Sequence, residues 1–234
     1  MNKPRHDSAG PSRALLSVIT QSLSARGHAV WPDAFCPEEC EALAADAAMQ
    51  TSPRRVALPA SWMSRIDAVR RELAPLAAQW RPARSDRHRD VDADTDECAA
   101  ECATSCQAAA DTGPTLSAPD VWLTCTNAST DCPLVSSGDD EAGFGLLFVV
   151  LLNRAGVDFS GGELVLAEQR PRMQTRPHVV ALAQGGLAVI AAAGRPVQGA
   201  RGPYRVRVRH GVAHVRTGRR VALMAGWPLS RDAV

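Results

Sequence analysis

The chain almost lacks lysine: Lys3 is the only one in 234 residues, and arginine carries the rest of the positive charge. A formal net charge of +1 gives no reason to expect nucleic acid or an anionic membrane as a partner. No apolar run approaches the roughly 18 residues of a membrane span. The polar start Met1-Asn2-Lys3-Pro4-Arg5-His6-Asp7 has no secretory apolar segment. Seven cysteines are an odd number with no evident disulfide framework, so a reduced, cytoplasmic protein is expected. No internal repeat of useful length occurs. Histidine is missing from a long central stretch, with none between Asp90 and Gly161.

What is present falls into three parts. Residues 1–80 read as a helical support region. Leu15, Leu16, Val18, Ile19 and Leu23 form an amphipathic stretch ended by Gly27, and His28–Trp31 suits a short strand. Cys36-Pro37-Glu38-Glu39 opens a second helix, with proline and acids in its first turn. Met63, Ile66, Val69, Leu73, Leu76 and Trp80 recur at steps of three and four and predict a long helix. Pro75 is expected to kink or interrupt it. Residues 81–119 lose this periodicity and read as a polar surface excursion rich in Cys and Asp.

Residues 120–230 change character. Short runs rich in β-branched residues (Val121–Thr126, Gly145–Leu152, Glu163–Ala167, Val179–Leu182, Leu187–Ala191, Tyr204–Arg209 and Arg220–Met224) are mostly separated by Gly, Pro and Asn or Asp. Many short strands at this spacing predict a sandwich or barrel. The expected class is α+β, a jelly-roll core with N-terminal helices packed on it.

Within that part, Tyr204, Val206, Val208, His210 and Val212 share one strand face, and Arg205, Arg207 and Arg209 share the other. The apolar face should point into the barrel and carry His210 with it. Such a histidine is most simply a hydrogen-bonded core residue. Arg220, opening the next apolar run after a Thr217-Gly218 turn, adds a functional alternative. Neutral imidazole is a good Fe(II) ligand, and guanidinium pairs with a carboxylate through two parallel hydrogen bonds.

The segment from about Leu146 to Trp227 resembles the catalytic half of an iron(II)/2-oxoglutarate-dependent dioxygenase of the prolyl-hydroxylase-like bacterial branch. The resemblance rests on Phe159–Glu163, Glu168–Gln174, Arg195–Gly199 and Arg209–Val212, with weaker likeness through Ala25-Arg26-Gly27-His28-Ala29. It implies a double-stranded β-helix, Fe(II) and 2-oxoglutarate as cofactors, and hydroxylation of a peptidyl or amino-acid side chain. By the same resemblance His210 corresponds to the distal iron-binding histidine and Arg220 to the arginine that binds the far carboxylate of 2-oxoglutarate. Tyr204, on the face of His210, is a further candidate for contact with the cosubstrate. The family usually has a hydroxylated residue two positions after that arginine, where this chain has Ala222.

The family's other iron ligands come as His-x-Asp/Glu, expected here near Val135-Ser136-Ser137. No histidine stands there, and Asp139 and Asp140 are the nearby carboxylates. The one literal His-x-Asp is His88-Arg89-Asp90, in a charged stretch with no strand pattern. His178 and His214 are further imidazoles. His214 lies four residues from His210, about 13 Å along an extended strand, too far to share one metal without a sharp turn. The alternative to a working oxygenase is a family member that has lost its iron site, holds no cofactor and serves as a binding or regulatory module.

Other patterns have plainer readings. Asp90, Asp92, Asp94 and Glu101 match part of a calcium-loop template, but Thr95 stands where glycine belongs. Cys98, Cys102 and Cys106 would line one helix face as small apolar residues, the outer two about 12 Å apart. Cys125 and Cys132 lack zinc-knuckle spacing. No nucleic-acid or membrane partner is indicated, and the substrate, peptide or small molecule, is not legible.

Overall fold

The computed structural model describes residues 10–47, 53–80, 119–130, 132–136, 143–171, 173–200 and 202–227. Helix α1 (Arg13–Arg26) starts where the Ser12 side chain accepts a hydrogen bond from the Leu15 N–H. It ends at Gly27, whose φ of 74° glycine adopts without steric cost and whose N–H reaches the Leu23 carbonyl. Strand β1 (His28–Trp31) follows, then α2 (Pro37–Ala47), a two-residue β2 (Arg54–Arg55) and α3 (Ala60–Trp80). Pro75 does not interrupt α3, which runs unbroken through it. Trp62, Ile66, Val69, Leu73, Ala77 and Trp80 form its buried stripe, and Trp62 stacks on Phe35 with ring centroids 3.8 Å apart.

The remaining strands are β3 (Asp120–Asn127), β4 (Leu146–Leu151), β5 (Phe159–Gly161), β6 (Leu164–Gln169), β7 (Arg176–Val180), β8 (Leu187–Ala191), β9 (Gly194–Gly199), β10 (Gly202–Val212) and β11 (Val215–Gly226). They form two antiparallel sheets. The larger has the order β1-β8-β4-β11-β3-β2, with β5 against the start of β11; the smaller has the order β7-β6-β10-β9. This is the expected jelly roll carrying N-terminal helices. Two of its strands, β1 and β2, come from the N-terminal region and close opposite edges of the larger sheet.

β5 and β9 were not expected. β5 is three residues long and β9 contains Pro196 and two glycines, so neither shows the alternation that marks a strand. The run expected at Val179–Leu182 instead forms β7 at Arg176–Val180, because pairing with β6 fixes its register: Val180 faces Leu164 and Arg176 faces Glu168.

The larger sheet is buried on both sides, so β4 and β8 are apolar throughout. On β11, Val221, Leu223 and Ala225 share the face turned to the helices. On that side Phe148, the partner of Ala225, packs against Trp227, over which Arg70 of α3 lies. Arg220, Ala222 and Met224 take the other face, toward the smaller sheet. No described helix is long and apolar enough to cross a membrane.

Candidate active site

Consecutive strands in opposite sheets bring His210 and Arg220 into the barrel interior. On β10 the burial alternates: Val206, Val208 and His210 are buried while Arg207 is exposed. His210 is 4% exposed, and its Nδ1 has no hydrogen-bond partner. The simple reading of a satisfied core histidine therefore does not describe it. Burial without compensation pushes its pKa down to about 4, so the imidazole is neutral near pH 7 with a ring nitrogen to offer a metal.

Arg220 is 2% exposed. Its side chain runs past Gly162, at the head of β6, close enough that a Cβ there would lie 3.1 Å from Arg220 Cδ. Gly162 has φ +70°, so this position favours glycine both for backbone and for space. Desolvation pulls the guanidinium down to about 10, with only Cys132 acting in the opposite direction. Among the described residues no carboxylate pairs with it. A buried, unpaired guanidinium is costly on its own and well suited to an incoming carboxylate.

Around it, Thr126 of β3 is the direct antiparallel partner of Arg220 and is itself buried. Cys132 Sγ lies 4.0 Å from Thr126 Oγ1. Ala222 brings no side-chain hydroxyl, as its sequence position implies; Thr126, one strand over, does. The alternation of Trp122, Thr124 and Thr126 along β3 was the signal that could have located this residue.

The strand position expected to carry a His-x-Asp pair is occupied. Val135 forms an isolated antiparallel bridge with His210, each N–H bonding the other's carbonyl at 2.8 Å. Ser136 Oγ donates to the Val208 carbonyl. The residue opposite His210 is thus a valine that is 48% exposed. Asp139 and Asp140, and His88 with Asp90, lie outside the described residues, as does the Cys98, Cys102 and Cys106 stripe. No group of three potential metal ligands occurs among the described residues. Tyr204 is half-buried at the far end of β10, its ring against Gly199. His178 lies in the same row as His210 with Leu166 between them, and its ring packs against His28 at 5.9 Å. His214 is exposed in the β10–β11 turn.

Sequence reasoning also missed a buried ion network on this inner face. Glu168 of β6 pairs with Arg195 of β9 at 2.7 Å, the side chains 4% and 3% exposed. Arg170 donates to the other Glu168 oxygen at 2.9 Å. Arg195 also donates to the carbonyls of Ser24 and Ala25 at the end of α1, where it satisfies acceptors the helix leaves open. Three of the sequence blocks that carry the family resemblance, those around Gly27, Glu168 and Arg195, meet in this one contact.

The profile of Oxygenase-NA, described as an oxygenase catalysing oxidative methylation of damaged DNA, matches residues 55–226. The chain belongs to this family. An uncharacterized protein of Mycobacterium tuberculosis, present in two strains, is 41% identical over 83 residues, a match spanning 36% of this chain and 36% of its relative. Solved structures with the same fold include a prolyl-4-hydroxylase from Pseudomonas putida (TM-score 0.54, 14% identity, 92% of this chain and 99% of that one). A Trichoplax adhaerens prolyl hydroxylase in complex with a hypoxia inducible factor peptide gives TM-score 0.56 at 10% identity, over 94% and 91% of the two chains. The non-heme alpha ketoglutarate dependent epimerase SnoN from nogalamycin biosynthesis gives 0.52 at 12%, over 93% and 84%. This Oxygenase-NA chain thus has the fold of the Fe(II)/2-oxoglutarate oxygenases.

Proposed function

We propose that the protein is a 2-oxoglutarate-dependent oxygenase in which Arg220 anchors the far carboxylate of the cosubstrate and His210 gives one imidazole to ferrous iron. The observation that carries this reading is the pairing, inside one barrel, of a buried guanidinium with no carboxylate partner among the described residues and a buried imidazole with an orphaned nitrogen. Arg220 fits a carboxylate; His210 offers iron one ligand, and among the described residues no second or third ligand joins it. If held there, iron with 2-oxoglutarate and oxygen would supply oxidation of a C–H bond, with succinate and carbon dioxide released.

The chain's own residues do the rest. The guanidinium orients a dicarboxylate along the barrel, and the Thr126 hydroxyl opposite it offers a second hydrogen bond to the same carboxylate. Apolar walls from Val206, Val208, Leu166 and Leu151 keep bulk water out, which strengthens each of these contacts. Depressed basicity keeps His210 unprotonated and able to coordinate.

Damaged DNA, in the family description, and a basic outer face on the smaller sheet together favour a nucleic-acid substrate over a peptidyl side chain. Arg207 and Arg209 face outward there, and no acidic side chain of the four strands does so. Such a face supplies phosphate contacts. Val135 opposite His210 favours a second reading, a barrel that binds the dicarboxylate without holding iron.

An anaerobic titration with Fe(II) and 2-oxoglutarate separates the two readings. A saturable charge-transfer band, absent in His210→Ala and weakened in Arg220→Gln, supports the oxygenase. Calorimetric binding of 2-oxoglutarate with no band supports the iron-free barrel. Neither signal from folded protein would sink both.

A further inference from the structure

Cys132 stands next to Thr126, at the end of the barrel interior that Arg220 enters. Its thiol is half-buried and not in a disulfide, and it lies 4.0 Å from the Thr126 hydroxyl. Thr126 in turn sits directly across from Arg220, so sulfur, hydroxyl and guanidinium share one end of the interior. Arg220 is almost wholly buried and has no carboxylate partner among the described residues.

The other described thiols are placed differently. Cys40 is buried and pushed up to about 12 by burial, and burial raises Cys36 as well. Cys125 lies on β3 between Thr124 and Thr126, so alternation turns it to the opposite face of the strand. A thiol beside an unpaired buried cation is the arrangement that attracts an anionic reagent.

We propose that Cys132 is a modification site in the wall of the Arg220 anion pocket: a bound dicarboxylate shields its thiol, and covalent modification of the thiol closes the pocket to the dicarboxylate. The inference rests on reading Arg220 as the cosubstrate anchor. With iodoacetate the sulfur displaces iodide; the C–S bond forms as the C–I bond breaks, and the thiol proton passes to solvent. The product carries a tethered carboxylate beside the guanidinium, where it competes with the dicarboxylate. A hydroperoxide is a class of oxidant that would modify the same thiol. There the S–O bond forms as the O–O bond breaks, the sulfur loses two electrons, and the thiol proton ends on the departing oxygen, leaving a sulfenic acid and an alcohol.

The test uses the full chain and site-resolved peptide mass spectrometry, comparing anionic iodoacetate with neutral iodoacetamide. Attraction by Arg220 should raise the iodoacetate-to-iodoacetamide rate ratio at Cys132 about threefold above that at Cys125. At ten times its Kd, 2-oxoglutarate should slow labelling at Cys132 about tenfold and leave Cys125 unchanged. Carboxymethylated protein should bind 2-oxoglutarate about tenfold more weakly by calorimetry, whereas in Cys132→Ser the same treatment should change the affinity no further. If 2-oxoglutarate binds but neither protects Cys132 nor is displaced by its modification, the proposal falls and the Arg220 anchor stands. If folded, untreated protein does not bind 2-oxoglutarate at all, the anchor falls and takes the proposal with it.

Discussion

Replacing Glu168 with alanine should be one of the most destabilising single changes this fold can suffer. The carboxylate is 4% exposed and the Arg195 guanidinium it faces at 2.7 Å is 3% exposed. Removing it leaves Arg195 buried with only the Ser24 and Ala25 carbonyls, at 3.2 and 3.4 Å, and with an Nε that already has no partner. Breaking a buried pair from one side in this way costs about 3–5 kcal/mol. For a chain of this size that corresponds to a loss of roughly 6–20 °C in Tm. Replacing both partners with apolar residues, Glu168→Leu with Arg195→Met, removes the stranded charge and should recover much of the loss.

The assay is urea unfolding followed by circular dichroism, with midpoints compared at constant slope. A Glu168→Ala loss below about 1 kcal/mol would refute the argument, because a group behaving as a surface ion pair contributes only that much. A pH series gives an independent check. Burial pushes the Glu168 carboxyl up, but hydrogen bonds from Arg170 and Arg195 outweigh it and hold the group below its ordinary value of 4.5. The folded form therefore binds this proton less readily than the unfolded form. The contribution is fully present above the ordinary value and is lost as pH falls through the depressed one, and Glu168→Ala should remove that acid-side slope.

Further outcomes test the site. Arg220→Gln should weaken 2-oxoglutarate binding by about 30-fold or more, the ~2–5 kcal/mol lost when one side of a buried charge pair is cut away; calorimetry reads this, and an unchanged Kd would remove Arg220 from the pocket. Thr126→Val should weaken the same binding about tenfold by deleting a hydrogen bond to a charged group. In metal-free protein, His210 has a folded pKa near 4 against an ordinary 6.5, so the unfolded chain binds its proton first. Stability should therefore fall as pH drops from 6.5 toward 4, by roughly 3 kcal/mol, and His210→Leu should flatten that fall in urea midpoints. Gly162→Ala should cost about 1–2 kcal/mol from its positive φ alone, and should also weaken dicarboxylate binding by crowding Arg220.

The sequence by itself determined which segments are helix or strand wherever a face is half-buried, because alternation and three-to-four spacing are written by burial on one side. α1, α3, β3 and β10 were legible for that reason, as was the inward face of His210. β5 and β9 were not legible: short or glycine-bearing strands are held by their neighbours' unpaired N–H and C=O groups rather than by any pattern of their own. Only the tertiary structure decided that the His210 Nδ1 lacks a hydrogen-bond partner and that Arg220 meets no carboxylate among the described residues, since both depend on which side chains other elements bring near. It alone set Thr126 against Arg220, Cys132 beside both, and Glu168 against Arg195 and the end of α1. Those contacts join residues 6, 27 and up to 171 positions apart, and a local pattern carries no record of a partner that only the closing of the barrel supplies.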